Sequence, residues 1–214
     1  KIEIINDFQA ISYALPNFID TDRIEIGRAK KYRTGNIGVL GPGTGLGMAA
    51  WIYKAGPMSG EGGHITLSAR NSEEEKIICN FRKIYGHCSA ERVLSGPGIL
   101  ALHRVMHGED FNHPKEITNN LNNKNNKKTM DQWFLFLGSV AAELALITGA
   151  IGGIYIAGGI IPKYSNTIIK SGFRNRFEDK NRYKEYMKGI PTWIIKDPNP
   201  GLKGLISFIK NYHY

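Results

Sequence analysis

The chain has 214 residues, and its 28 lysines and arginines against 19 aspartates and glutamates give a formal net charge of +9. Hydrophobic residues make up 42% and charged residues 22% of the sequence, a composition that excludes disordered, collagen-like and disulfide-scaffold proteins. The length allows one large domain or two small ones. No apolar run approaches the roughly 20 residues of a membrane span. The only two cysteines, Cys79 and Cys88, favour a reduced, cytosolic protein.

The positive charge raises the question of a nucleic-acid partner, because binding phosphates requires a basic patch. The basic residues are spread along the chain, and their densest clusters, at residues 28–33 and 124–128, fall in predicted loops. The tract 119–128 is almost wholly Asn and Lys. A compositional drift towards such residues explains the charge without a function, so we expect no nucleic-acid partner.

The first third of the chain is predicted to contain mainly strands. The β-branched run at residues 2–5 predicts a strand, and its abrupt start, without methionine or leader, indicates a fragment of a longer protein. Residues 8–15 are predicted to form a helix that Pro16 ends. Further predicted elements are a loop or short strands at 17–36, two strands forming a hairpin at 37–40 and 48–54, and a strand at 64–68.

Helices are predicted to predominate after residue 70. Asn71 or Ser72 caps a helix that runs to Tyr85, with three glutamates in the first turn, where the helix dipole favours acids. The apolar spacing across residues 129–148 predicts a long helix facing the core. Other predicted elements are a short helix from Ser89, helices at 97–107 and from Pro162, strands at 152–157 and 192–196, a turn at 198–201 and a closing helix at 202–212. Because strands alternate with helices, the predicted fold class is α/β.

The dipeptide Asn6-Asp7 is the first candidate for chemistry. Aspartate is a favoured helix N-cap, so a purely structural role explains it. Alternatively, the carboxylate of Asp7 stands at the carboxyl end of a strand, where open α/β sheets bind ligands, and accepts a proton from a hydroxyl. The two roles are compatible, and the dipeptide alone does not choose between them.

The glycine-rich run at residues 41–47, Gly-Pro-Gly-Thr-Gly-Leu-Gly, is the second candidate. It has no Lys-Ser/Thr ending and lies between two predicted strands, so it is neither a P-loop nor a dinucleotide fingerprint. Glycines still allow an anion to approach the backbone closely. A plain hairpin turn explains the run equally well.

The third candidate is Gly60-Glu-Gly-Gly-His64. Glu61 and His64 have the spacing of some metal ligands, but the two glycines between them disfavour the helix that a zinc motif requires. A carboxylate and an imidazole on a glycine-rich loop are better suited to recognising hydroxyl groups. Glu91, taken by itself, is predicted to be an ordinary acid on a helix surface. Four other histidines have no matching ligand partners and are expected at the surface, namely His87, His103, His107 and His113.

Nine segments, taken in chain order, resemble the bacterial-type glucokinases. They lie at residues 3–8, 41–47, 60–64, 71–75, 89–98, 156–162, 171–174, 177–180 and 199–202. The resemblance implies the actin-like (ribonuclease H-like) sugar-kinase fold, with ATP transferring its γ-phosphoryl group to the 6-hydroxyl of glucose. By the same resemblance Asp7 is the catalytic base. The resemblance assigns Asn6, Glu61, His64 and Glu91 to the glucose hydroxyls. It assigns Gly43 and Thr44 to a phosphate-binding loop, and it implies that Gly158 and Gly159 lie near adenosine.

The resemblance also implies a domain layout and a set of partners. Residues 1–16 are expected to end a small lobe and form the hinge, 17–198 to form the large lobe, and 199–214 to return towards the small lobe. Expected partners are glucose and ATP, Mg²⁺ arriving with ATP, and a second copy in a homodimer; no membrane and no protein-bound metal are expected. The cysteine cluster of the related zinc-binding family is absent from this sequence, which favours the zinc-free branch.

The N-terminal Asp-Gly-Gly-Thr phosphate loop of the family has no counterpart in this sequence. We therefore expect that the chain by itself binds sugar poorly and does not turn over ATP. The alternative is a non-catalytic sugar-sensing or regulatory protein on the same fold, and a nucleic-acid-binding module is a third, less favoured, interpretation.

Overall fold

The computed structural model describes residues 2–29 and 33–212. These residues fold around a six-stranded mixed sheet. The strand order is β1-β6-β5-β2-β3-β4. Strands β2, β5 and β6 run parallel, while β1, β3 and β4 are antiparallel to their neighbours. The strands are β1 (Arg23–Glu25), β2 (Ile37–Pro42), β3 (Leu46–Ile52), β4 (Gly56–Gly60), β5 (Gly153–Ile156) and β6 (Thr192–Ile195).

Helices cover both faces of this sheet. The α-helices are α1 (Asp7–Ala14), α2 (Ser72–Tyr85), α3 (Ala90–Val93), α4 (Gly96–His107), α5 (Pro114–Thr118), α6 (Lys124–Thr148), α7 (Ser165–Lys170), α8 (Phe173–Glu178), α9 (Lys184–Lys188) and α10 (Pro200–Tyr212). Short 3₁₀ turns occur at Leu15–Asn17, Asp20–Asp22, Gly62–His64, Ile161–Tyr164 and Asn181–Tyr183. The predicted α/β class is confirmed.

Alternation along the central strands divides the apolar residues between two cores. On β5, Ile154 and Ile156 belong to the large core under helices α2–α9, whereas Tyr155 between them belongs to a smaller core on the opposite face. Helix α1 contributes Ile11 and Ala14 to that smaller core. The side chains of a strand alternate between the faces of a sheet, so the parallel strands of this sheet are buried on both sides.

Helix α10 packs directly on α1. A Cβ atom added to Gly204 would collide with the carbonyl oxygen of Ala10, so the two helix backbones are nearly in contact at this point. One turn further on, the rings of Tyr13 and Phe208 meet edge to face, with centroids 5.1 Å apart. Four side chains of α10 are largely exposed and apolar, namely Leu202, Leu205, Ile206 and Ile209.

Helix α6 is the longest helix and forms the centre of the large core. It begins at Lys124 because the side chain of Asn123 accepts hydrogen bonds from the N–H groups of Asn125 and Asn126, at 2.8 and 3.1 Å. The predicted loop at 124–128 is therefore wrong, since these residues form the first turns of a helix. Helix α6 is long and apolar enough to cross a membrane. However, 67% of its most apolar 18-residue stretch is buried inside the protein.

Two predicted strands are not found in the structure. Residues 2–5 form no strand among the described residues, and Ile2 and Ile4 are more than nine-tenths exposed. At residues 64–68, His64 ends a 3₁₀ turn and Thr66 forms only an isolated bridge with Ser89. Of the predicted basic loop at 28–33, residues 30–32 lie outside the described residues.

Candidate functional site

A cleft of about 1090 Å³ opens at the carboxyl ends of the three parallel strands. It is lined by residues that follow β2, β5 and β6, and by the first turns of α1 and α10. Open α/β sheets bind their ligands at this edge, where loops from several strands converge. The cleft includes seven of the nine site residues expected from the sequence, namely Asp7, Gly43, Thr44, Glu61, Glu91, Gly158 and Gly159.

Asn6 and Asp7 divide between them the two roles considered from the sequence. Asn6 is the N-cap of α1, because its Oδ1 accepts hydrogen bonds from the N–H groups of Phe8 and Gln9, at 2.8 and 3.3 Å. Asp7 is the first residue of the helix, and its Oδ1 also accepts the Phe8 N–H at 2.8 Å. The expectation that Asp7 follows a strand is wrong, but its carboxylate is exposed and lines the cleft.

The ring of Phe8 holds this end of α1 against the sheet. A Cβ atom on Gly41 would lie 2.6 Å from Phe8 Cζ, and one on Gly47 would lie 2.7 Å from Phe8 Cγ. Carbon atoms in contact are normally about 3.5–4.0 Å apart, so the ring occupies the space that side chains at Gly41 and Gly47 would need. Two glycines of the predicted phosphate-binding run therefore leave room for the Phe8 ring, so that the helix that carries Asp7 can pack against the sheet.

The turn between β2 and β3 is a three-residue loop, Gly43-Thr44-Gly45, which we call the glycine loop. The Gly43 N–H donates to the Gly45 carbonyl at 2.8 Å, and the Gly96 N–H at the start of α4 donates to the Gly43 carbonyl at 2.8 Å. Thr44 is exposed at the tip of the loop. The run therefore forms the hairpin turn that was one of its two interpretations. It also lines the cleft.

Glu91 is a half-buried residue of the short helix α3. Its Oε2 accepts a hydrogen bond from the Leu46 N–H at 2.9 Å, immediately after the glycine loop. The prediction of an ordinary acid on a helix surface is therefore incomplete, because the side chain contacts β3 and lines the cleft.

Glu61 is the residue before the 3₁₀ turn Gly62–His64, which follows β4, and His64 is the last residue of that turn. The His64 N–H donates to the Glu61 carbonyl at 3.0 Å, and both residues are exposed. Glu61 lines the cleft, whereas His64, like Asn6, is outside the set of lining residues. In the described part of the chain, no three His, Cys, Asp or Glu residues are grouped so that they could hold a metal ion.

Gly158 and Gly159 follow β5, and Gly158 lies against the end of β2, next to the glycine loop. Gly158 has φ +92°, a conformation that favours glycine, and a Cβ atom there would collide with the carbonyl oxygen of Pro42. Two exposed lysines, Lys163 and Lys196, also line the cleft. Sequence reasoning did not select them, although Lys163 follows the predicted strand at 152–157 and Lys196 is the last residue of the predicted strand at 192–196.

The cysteines and His103 lie apart from the cleft. Cys79 is exposed and Cys88 is buried, and both are free thiols. Burial raises the pKa of the Cys88 thiol to about 11, which disfavours a nucleophilic role. His103 is fully buried, contrary to the expectation of a surface residue, and its ring nitrogens contact Thr129 Oγ1 at 2.9 Å and Glu109 at 3.1 Å.

Two solved structures superpose on almost the whole of this chain. A ROK family protein from Streptococcus pneumoniae, crystallised in complex with sucrose, superposes with a TM-score of 0.63 over 97% of this chain and 65% of that chain, at 15% identity. A glucokinase from an Antarctic psychrotroph has a TM-score of 0.92 and 34% identity, covering 98% of this chain and 68% of that chain. The fold is therefore the actin-like fold of the sugar kinases.

The sequence comparisons narrow this class further. The glucokinase of Shigella sonnei (strain Ss046) is 41% identical over 215 residues, covering 95% of this chain and 67% of that protein. A family model described as Glucokinase matches residues 1–212. The chain belongs to the glucokinase family, as its sequence motifs indicated. The activity of the enzyme is the ATP-dependent phosphorylation of glucose.

Proposed function

We propose that the cleft binds glucose and ATP side by side, and that Asp7 is the catalytic base. The observation that carries this proposal is the convergence of seven expected site residues, from five separate segments of the chain, on one cleft. Phosphoryl transfer depends mainly on the positioning of the two substrates and on charge stabilisation. A cleft that presents a carboxylate and two glycine-rich backbone segments supplies these requirements.

In the proposed reaction, the Asp7 carboxylate accepts the proton of the glucose 6-hydroxyl as the hydroxyl oxygen attacks the γ-phosphorus of ATP. The bond between that phosphorus and the β,γ-bridging oxygen breaks, and ADP leaves. Asp7 is suited to this role because its carboxylate is exposed in the cleft while its backbone is fixed by the capped first turn of α1. The glycine loop approaches the transferred phosphate, and Gly158 and Gly159 lie near adenosine.

Four polar side chains are assigned to the other glucose hydroxyls. Since Asn6 Oδ1 already caps α1, we assign the sugar contact of Asn6 to its Nδ2 group. Glu61 and Glu91 supply carboxylate oxygens, and His64 supplies an imidazole. A sugar with an inverted hydroxyl would leave one of these groups unpaired, which is the strongest means of rejecting it.

The remaining assignments follow from the family resemblance. Mg²⁺ would neutralise charge on the ATP phosphates and is expected to arrive with them, since Mg²⁺ is commonly held by substrate phosphates and few protein ligands. We further propose a cytoplasmic homodimer without nucleic-acid or membrane partners. In the proposed domain layout, residues 1–16 end the small lobe and form the hinge, 17–198 form the large lobe, and 199–214 return towards the small lobe. The exposed apolar residues of α10 support this last assignment.

The substitution Asp7→Asn tests the assignment of the base. In the full-length protein it should abolish glucose 6-phosphate formation while leaving the glucose dissociation constant within about tenfold, a difference of about 1.4 kcal/mol, because the amide keeps its size and hydrogen-bonding oxygen. The control is Asp131→Asn, which changes an acid of α6 outside the cleft lining and should retain turnover. Turnover in Asp7→Asn refutes the base. Glucose binding without turnover in the unmodified enzyme favours a sugar sensor.

A further inference from the structure

The Glu91 carboxylate connects the cleft to the glycine loop. Its Oε2 accepts the Leu46 N–H at 2.9 Å and lies 2.5 Å from the position that a Cβ atom on Gly45 would occupy. The three atoms nearest to that Cβ position all belong to Glu91. Leu46 is only 5% exposed, so water has little access to its N–H. The end of the loop is therefore fixed against this one side chain.

A second tether fixes the other end of the same loop. The Gly96 N–H, at the start of α4, donates to the Gly43 carbonyl at 2.8 Å. Helix α3, which carries Glu91, and the start of α4 are separated by only two residues. The α3–α4 segment thus holds the loop on both sides of Thr44, and one of the two attachments is the side chain of a residue assigned to glucose.

We propose that Glu91 is a positioning residue for the glycine loop in addition to its contact with the sugar. Through the Leu46 N–H it holds the loop backbone where that backbone meets the ATP phosphates. The ligand identities in this proposal rest on the proposed function, whereas the tether itself rests on the geometry. Because one carboxylate serves both substrates, loss of Glu91 should weaken the binding of ATP as well as that of glucose, and the two affinities should be coupled.

A double-mutant cycle tests the tether, with hydrogen exchange of the Leu46 amide followed by NMR on the 214-residue chain. Glu91→Ala removes the acceptor, and Gly45→Ala displaces it. Each should accelerate exchange by about tenfold or more, as expected for a local opening. The double variant should exchange no faster than Glu91→Ala alone, because the space for the new methyl group is then vacant. Multiplicative effects would show that the two sites are independent and would overturn the tether.

Two further variants and titrations with the two proposed ligands, ATP and glucose, complete the experiment. Gly43→Ala adds a methyl group to the same loop with nothing within 4 Å of it, so Leu46 exchange should not change. Glu91→Gln keeps a carbonyl acceptor and should restore the protection that Glu91→Ala loses. Calorimetric titration with ATP should show at least about tenfold weaker binding for Glu91→Ala and near-normal binding for Glu91→Gln. If Glu91→Ala weakens the binding of glucose and leaves the binding of ATP unchanged, the positioning role is refuted. If the full-length protein without substitutions binds neither ligand, the proposed ligands are wrong, while the exchange data still decide the tether.

Discussion

A methyl group added at Gly47 tests whether the Phe8 ring positions the proposed base. In Gly47→Ala the new carbon would lie 2.7 Å from Phe8 Cγ, with two other ring carbons nearer still. Since carbon contacts normally lie at about 3.5–4.0 Å, the ring must retreat by about 1 Å or more. Phe8 follows Asp7 directly, so the first turn of α1 has to move with the ring.

Both stability and turnover should respond to this displacement. Overpacking of this kind costs about 1–3 kcal/mol of unfolding free energy, and a misplacement of about 1 Å can reduce turnover about 100-fold. Urea unfolding and a coupled assay of glucose 6-phosphate would measure the two effects. Gly60→Ala, a strand glycine with nothing within 4 Å of its added Cβ, is the control. Phe8→Ala combined with Gly47→Ala should recover part of the lost stability. If Gly47→Ala changes neither stability nor turnover, the Phe8 ring does not hold the first turn of α1 in position.

Three further predictions concern the rest of the molecule. Glu74→Ala leaves the buried guanidinium of Arg176, which it binds at 2.7 Å, without its charge partner, and should cost about 3–5 kcal/mol in urea unfolding. A thiol reagent at pH 8 should label Cys79 rapidly and leave buried Cys88, whose pKa is raised to about 11, unreacted until the chain unfolds; rapid labelling of two thiols would contradict this. Lys54 has φ 64° in the β3–β4 turn, so Lys54→Gly should raise stability by about 1 kcal/mol, and a decrease would show that the turn is not strained.

The elements with strong local signals could be predicted from the sequence. Helix α2 combines a capping Asn71, three acids in its first turn and a glycine after its end, and these signals agree with one another. Strand β4 was missed because Gly56 and Pro57 indicate a turn, although proline is tolerated on an edge strand. Residues 2–5 have the composition of a strand, but β-branched residues form one only where another strand pairs with them.

The sequence identified most of the segments that line the cleft, but not the contacts between them. The motifs that carry Asp7, Thr44 and Gly158 identified segments that do meet in one cleft. No local pattern, however, indicates that a glutamate on α3 binds the N–H of a residue 45 positions earlier, because that contact depends on how α3 packs against the sheet. Lys163 was missed for a similar reason, since an exposed lysine has no periodic or spacing signal of its own.

The near-contact between α1 and α10 has a consequence for how the protein is made. Helix α1 is synthesised before the helix on which it packs, which follows about 190 residues later. At about 5–20 residues per second, α1 waits roughly 10–40 s with the surface around Ala10 uncovered. A protein cut short before residue 200 thus loses the helix that packs against α1, the helix that carries Asp7.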